Sequence, residues 1–144
     1  MNKDQLYTEI VLEAFKFSGL LTAEGDRITE KYGLSSARWK VIGALARAKS
    51  PLTVPQIART MGQTRQAVQR LVDSMVNSGL LSLKDNPEHK RAKLVCLTEQ
   101  GQEVFQALDN EWRVLAAEYA SAVSPHELQT TLATLKQLSL EFLP

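Results

Sequence analysis

The sequence predicts a mainly α fold with one small β-hairpin (α+β), and three observations carry that reading. Apolar residues recur at three- and four-residue spacings through most of the 144 residues, the period of an amphipathic helix. Around residues 81–97 the period drops to two, as in a half-buried strand. Ser or Thr stands before most of the helical stretches, where a side-chain oxygen can cap the first turn.

The first helix is expected over Lys3 to about Tyr32. Leu6, Ile10, Ala14, Phe17 and Leu21 form one apolar face, and Val11, Phe15 and Leu20 widen it beyond a narrow stripe. So broad a face needs more than one neighbour. Gly33 ends the helix where left-handed backbone is expected. Ser35 caps a second helix, Ser36 to about Ala48, with Trp39, Val41, Ile42 and Leu45 inward, and Ser50-Pro51 breaks it. Thr53-Val54-Pro55-Gln56 is a capping box opening a short helix that ends near Met61-Gly62. Gly62 permits a tight turn, Thr64 caps a fourth helix to about Asn77, and Gly79 closes it.

Leu81–Lys84 and Lys93–Leu97 are expected as two strands. The polar run Asp85-Asn86-Pro87-Glu88-His89-Lys90-Arg91 between them makes a protruding hairpin tip. Thr98 caps a long helix from Glu99 to roughly Val123, with Val104, Leu108, Trp112, Leu115, Ala116 and Tyr119 on its apolar face. Ser124-Pro125-His126-Glu127 is another capping box, with proline at its favoured first helical position. The final helix uses Leu128, Leu132, Leu135, Leu138, Leu140 and Phe142. No internal repeat, low-complexity tract or interdomain linker interrupts the chain, so residues 1–144 are expected as a single domain.

Net charge is only +1, but its distribution is uneven. Residues 35–93 hold 11 Lys+Arg against 3 Asp+Glu, a balance of +8, while the flanks together hold 6 basic and 13 acidic residues. A basic middle between acidic ends can attract a polyanion while the ends stay out of contact. No apolar run approaches the roughly 18 residues that span a bilayer, and the N-terminus lacks a signal-peptide core. A cytoplasmic location, with no membrane association, is therefore expected. The single cysteine, Cys96, excludes an internal disulfide framework and a multi-cysteine metal site. With only two histidines, His89 and His126, and no recognisable nucleophile–base or carboxylate pair, neither an enzyme, a metal site nor a cofactor is expected.

Three helices followed by a two-stranded hairpin is the order of a winged helix-turn-helix, whose second helix of the pair enters the major groove of duplex DNA. Such a helix needs one apolar and one donor-rich face. Val68, Leu71, Val72 and Met75 supply the first; Arg65, Gln66, Gln69 and Arg70, after the cap Thr64, supply the second. Arginine reads guanine through O6 and N7, and glutamine pairs twice with adenine. Asp73, three residues after Arg70, is placed to hold that arginine. Lys84, His89, Lys90 and Arg91, with Lys93, make a basic wing suited to phosphates or to the narrow minor groove.

Leu34-Ser35-Ser36-Ala37-Arg38-Trp39, Gln56-Ile57-Ala58-Arg59-Thr60-Met61-Gly62, Val68-Gln69-Arg70-Leu71-Val72-Asp73, Gly79-Leu80-Leu81 and Leu97-Thr98-Glu99-Gln100-Gly101 occur in this order. In that order and spacing, with long helices at both ends, the chain resembles the multiple-antibiotic-resistance regulators, the MarR family, over nearly its whole length. The resemblance implies a homodimeric repressor. Residues 1–33 and 99–144 would then be dimerisation helices, and residues 34–98 a DNA-binding winged helix-turn-helix reading a near-palindromic operator. The wing of that family usually carries an aspartate two positions before the arginine at its tip. Here His89 stands in its place, so an acid–arginine pair would have to come from Asp85 or Glu88. An imidazole there could add a mild pH dependence, but an exposed, idle side chain is the expectation.

The same resemblance implies release from DNA by a small aromatic effector held between the dimerisation helices and the winged region, where Phe17, Tyr32, Trp39 and Trp112 are the candidate lining. A redox sensor would need an accessible, acidified thiol; Cys96, among Leu94, Val95 and Leu97, reads as structural. The competing reading is a winged helix used for protein–protein contact, its basic face meeting an acidic partner.

Overall fold

A computed structural model describes residues 1–143. In chain order its elements are α1 (Lys3–Thr29), a 3₁₀ turn (Glu30–Tyr32), α2 (Ser36–Arg47), α3 (Val54–Met61), α4 (Arg65–Asn77), β1 (Leu81–Lys84), β2 (Leu94–Leu97), α5 (Glu99–Ala120) and α6 (Pro125–Leu140). They fall into two compact units, one spanning Met1–Phe105 and the other beginning at Gln106, within α5.

Each helix starts where a side chain satisfies an otherwise unpaired backbone N–H. Ser35 Oγ accepts from Arg38 N–H at 3.3 Å, Thr64 Oγ1 from Ala67 N–H at 3.1 Å, and Thr98 Oγ1 from Gly101 N–H at 3.1 Å. Thr53 with Gln56, and Ser124 with Glu127, close reciprocal capping boxes. A third box, Asn2 with Gln5, opens α1 and went unnoticed in the sequence.

The ends differ from expectation by a few residues. The first helix tightens into a 3₁₀ turn after Thr29, as Gly33 N–H bonds Glu30 O at 2.9 Å and Leu34 N–H bonds Thr29 O at 3.2 Å. This closure needs the left-handed backbone that Gly33 adopts at φ 69°. The fifth helix stops at Ala120 rather than near Val123, because Ser121 turns its hydroxyl back onto Glu118 O and the backbone follows in tighter bonds. The second strand begins at Leu94, the partner of Lys84, and not at Lys93.

In the first unit, Val41, Ile42 and Leu45 of α2, Ile57 and Ala58 of α3, Val68, Val72 and Met75 of α4, and Leu80, Leu81 and Val95 at the hairpin form one buried cluster. Trp39, expected inward, is only half-buried. β1 and β2 pair antiparallel with Leu81 opposite Leu97 and Leu83 opposite Val95. Leu52, in the α2–α3 connection, adds a bridge to Val95, whose N–H donates to Leu52 O at 2.7 Å. That bridge fastens the root of the wing to the helix-turn-helix. Where α1 meets α2, Asp26 accepts from Ser36 N–H at 2.8 Å. Gly25 allows this approach, since a Cβ there would stand 2.7 Å from Ser36 Oγ.

In the second unit, Asp109 and Arg113 pair at 2.9 Å and the rings of Trp112 and Tyr119 lie 6.3 Å apart. None of the described residues of α6 is buried. Among the described residues, no helix is long and apolar enough to cross a membrane.

Candidate nucleic-acid interface

The site is built on α4. Val68, Val72 and Met75 are fully buried, each worth about 1.5–3 kcal/mol of apolar burial, and they orient the helix. With that face inward, Arg65, Gln66, Gln69 and Arg70 are exposed. The turn leading into α4 runs through Gly62 at φ 66°, whose N–H closes onto α3, and Thr64, whose cap fixes where α4 begins. Thr64 and Arg65 thus stand at the N-terminal end of the helix, where backbone N–H groups favour anions.

A groove of about 520 Å³ separates this end of α4 from the wing. Arg65, Gln66 and Gln69 line one wall, Arg91, Ala92 and Lys93 the other, with Val54 and Pro55 of α3 alongside. Three cationic side chains separated by some 26 residues of sequence therefore face one space, together with two amides able to donate and accept. Arg70, Lys84, His89 and Lys90 are exposed outside that groove.

The wing tip is held by groups other than an acid–arginine pair. Asn86 Nδ2 donates to Ala92 O at 2.9 Å, and Asn86 Oδ1 accepts from Glu88 N–H at 3.0 Å. His89 Nδ1 accepts from Ala92 N–H at 3.2 Å, which requires an unprotonated Nδ1. Among the described residues, neither Asp85 nor Glu88 forms a salt bridge with Arg91. His89, at the family's aspartate position, accepts from the backbone instead of pairing with Arg91, which lines the groove. Its only sequence signal was the departure itself.

Asp73 corrects a second expectation. It accepts from Gln69 Nε2 at 2.9 Å, one helical turn away, rather than holding Arg70. The sequence also concealed a link from α2: Arg38 Nη2 donates to Ser74 Oγ at 3.0 Å, tying α4 to the preceding helix across 36 positions. Cys96 is half-buried in β2, opposite Ser82.

Of the four aromatic residues named for an effector, Phe17 is 61% exposed. Tyr32, with Lys31 Nζ 5.5 Å from its ring centre, and Trp39 are half-buried in the first unit, and Trp112 is half-buried in the second. The groove beside α4 is lined by other residues.

Capped tandem helices, a hairpin wing and a shared core define a winged helix-turn-helix protein. Residues 32–92 match the model of the MarR family. Rv2011c, an uncharacterised protein of Mycobacterium tuberculosis, is 37% identical over 129 residues, covering 90% of this chain and 89% of its own. Among solved structures, a MarR/EmrR family transcriptional regulator from Acinetobacter has a TM-score of 0.83 at 22% identity, covering 99% of this chain and 98% of its own. A Staphylococcus aureus MarR in complex with salicylate and kanamycin has a TM-score of 0.76 at 18% identity, covering 94% and 91%. This chain belongs to the MarR family; it is a transcriptional regulator by family and fold, and not an enzyme.

Proposed function

We propose that the protein is a homodimeric repressor that reads a near-palindromic operator in duplex DNA. The observation that carries the reading is the groove in which Arg65, Gln66 and Gln69 of α4 face Arg91 and Lys93 of the wing. In this reading α4 lies in the major groove, with Arg65, Gln66 and Gln69 toward base edges. Thr64 and Arg70 contact phosphates beside it, and Lys84, His89, Lys90 and Arg91 reach the minor groove and backbone. The basic balance of residues 35–93 supports it, since neutralising phosphates supplies most of the affinity for any duplex.

Residues 34–98 form the reading part and residues 1–33 and 99–144 the dimerisation part. Exposed apolar side chains support that division: Leu6, Ile10, Phe15 and Phe17 on α1, and Leu128, Leu132, Leu135 and Leu140 on α6 are each more than 40% exposed in the single chain. Surfaces this apolar call for a partner, and a second copy satisfies a two-fold operator. A small aromatic effector acting on Phe17, Tyr32, Trp39 and Trp112 completes the reading, supported by the salicylate complex of the S. aureus relative. Trp39 and Trp112 are the only tryptophans, so quenching of their fluorescence by aromatic carboxylates is the direct check.

The deciding experiment titrates the protein against its own upstream promoter and against random duplex across a salt series, with its mass in solution measured alongside. Tight, promoter-selective binding by a dimer, with the selectivity surviving added salt, supports the reading, and in vitro transcription from that promoter then falls. Weak, equal binding that vanishes with salt would overturn it in favour of an acidic protein partner.

A further inference from the structure

Asp73 is the one carboxylate on α4 and one of only three in residues 35–93. It is exposed, as are Arg65, Gln66, Gln69 and Arg70 of the same helix. A negative charge there opposes the approach of any phosphate backbone, so it weakens binding unless it does something specific. Among the described residues its side chain has one hydrogen bond, from Gln69, whose Nε2 donates to Asp73 Oδ1 at 2.9 Å.

An ionised carboxylate only accepts, whereas a side-chain amide has two N–H donors at one end and an acceptor at the other. Asp73 therefore decides which end of the Gln69 amide faces it: the nitrogen. One N–H is occupied, and Oε1 and the second N–H remain. That acceptor–donor pair complements the N6–H and N7 edge of adenine in the major groove. Without Asp73 the amide could turn over and would sample more rotamers, each lost on binding. Gln69 lines the groove shared with Arg65 and Arg91, so its orientation is fixed where a base edge would sit.

We infer that Asp73 is a positioning residue for sequence reading: it presets the Gln69 amide to read adenine at one position of each half-site, while its charge weakens the phosphate-driven binding common to every duplex. The inference rests on the DNA-reading function proposed above. The wild type, Gln69→Ala, Asp73→Ala, Asp73→Asn and the double variant Gln69→Ala/Asp73→Ala are each selected against a random-sequence duplex library. Each is then titrated against the selected site with every base pair substituted in turn, and against random duplex, at one salt concentration.

Gln69→Ala is expected to lose about tenfold discrimination at a single A·T pair. Asp73→Ala is expected to lose most of the discrimination at that same pair while binding random duplex several-fold more tightly. Asp73→Asn, which keeps an acceptor without the charge, shows the same gain on random duplex but retains part of the discrimination. In the double variant the loss of Asp73 has no further effect at that pair. Unchanged discrimination at the Gln69 pair in Asp73→Ala, or an equal loss when Gln69 is already alanine, would overturn the inference and leave DNA reading intact. A wild type that selects no sequence would overturn both. Melting curves for every variant exclude misfolding as the cause.

Discussion

Replacing Gly101 by alanine tests how the wing is joined to α5. A Cβ at this position would stand 2.2 Å from the Leu80 carbonyl oxygen and 3.2 Å from Leu97 Cδ2, whereas ordinary contact begins at 3.4 Å. The first turn of α5 must therefore withdraw by more than an ångström from the strand it abuts. Two hydrogen bonds span that junction, Thr98 N–H to Leu80 O at 3.1 Å and Thr98 Oγ1 to Gly79 O at 2.6 Å. Overpacking costs about 1–3 kcal/mol, and weakening the two bonds adds about 1 kcal/mol each. The better helix propensity of alanine returns about 1 kcal/mol. The net expectation is a loss of about 2–4 kcal/mol, measured by urea unfolding at one fixed protein concentration, because dimerisation couples to stability. Gly19 in α1 is the control: a Cβ there meets nothing within 4 Å, so Gly19→Ala should gain up to about 1 kcal/mol. A Gly101→Ala protein as stable as the wild type would refute the close-approach argument.

Met75→Ala, which empties a fully buried site against α2 and the hairpin, should cost about 2–5 kcal/mol in the same unfolding assay. Arg65→Ala should weaken selected DNA by about 1–3 kcal/mol and relax preference at one position, while Lys90→Ala should weaken all duplexes alike and lower the salt slope by about one; titrations on both DNAs across salt separate the two. Glu127 gives a pH prediction. Hydrogen bonds from the Ser124 backbone and then its side chain hold the Glu127 carboxyl below the ordinary carboxylate value. Because the folded value is the lower one, the cap's contribution is present above the unfolded value and fades as pH falls through the folded one. Protection of the amides at the start of α6, taken relative to the intrinsic exchange rate at each pH, should therefore fall in acid in the wild type. In Glu127→Gln, which retains an acceptor without titrating, that acid-dependent component should be missing.

Much of the fold was legible because it is local. A cap needs an oxygen within three residues of an N–H, so Ser35, Thr53, Thr64, Thr98 and Ser124 announced five helix starts that the structure bears out. The change of period at Leu81 likewise announced the hairpin, and the apolar positions of α4 implied which residues it would leave exposed. Helix ends were read less well, since Thr29 and Ser121 stop their helices through hydroxyls bonded back onto the preceding turn. A serine or threonine can make that bond without ending a helix, as Thr22 and Thr131 do.

The residue pattern alone determined the order of elements, the basic face and the family resemblance, because periodicity, charge and capping are written over short spans. Only the tertiary structure decided that Leu52 joins the wing strands, that Arg38 reaches Ser74, and that Arg91 and Lys93 face Arg65 across one groove. Those residues meet after intervening chain has folded, and no local spacing encodes the distance between them. The choice Asp73 makes between Gln69 and Arg70 is different in kind. Both partners lie within one helical turn, and only the side-chain geometry on the folded helix face settles which of them it holds.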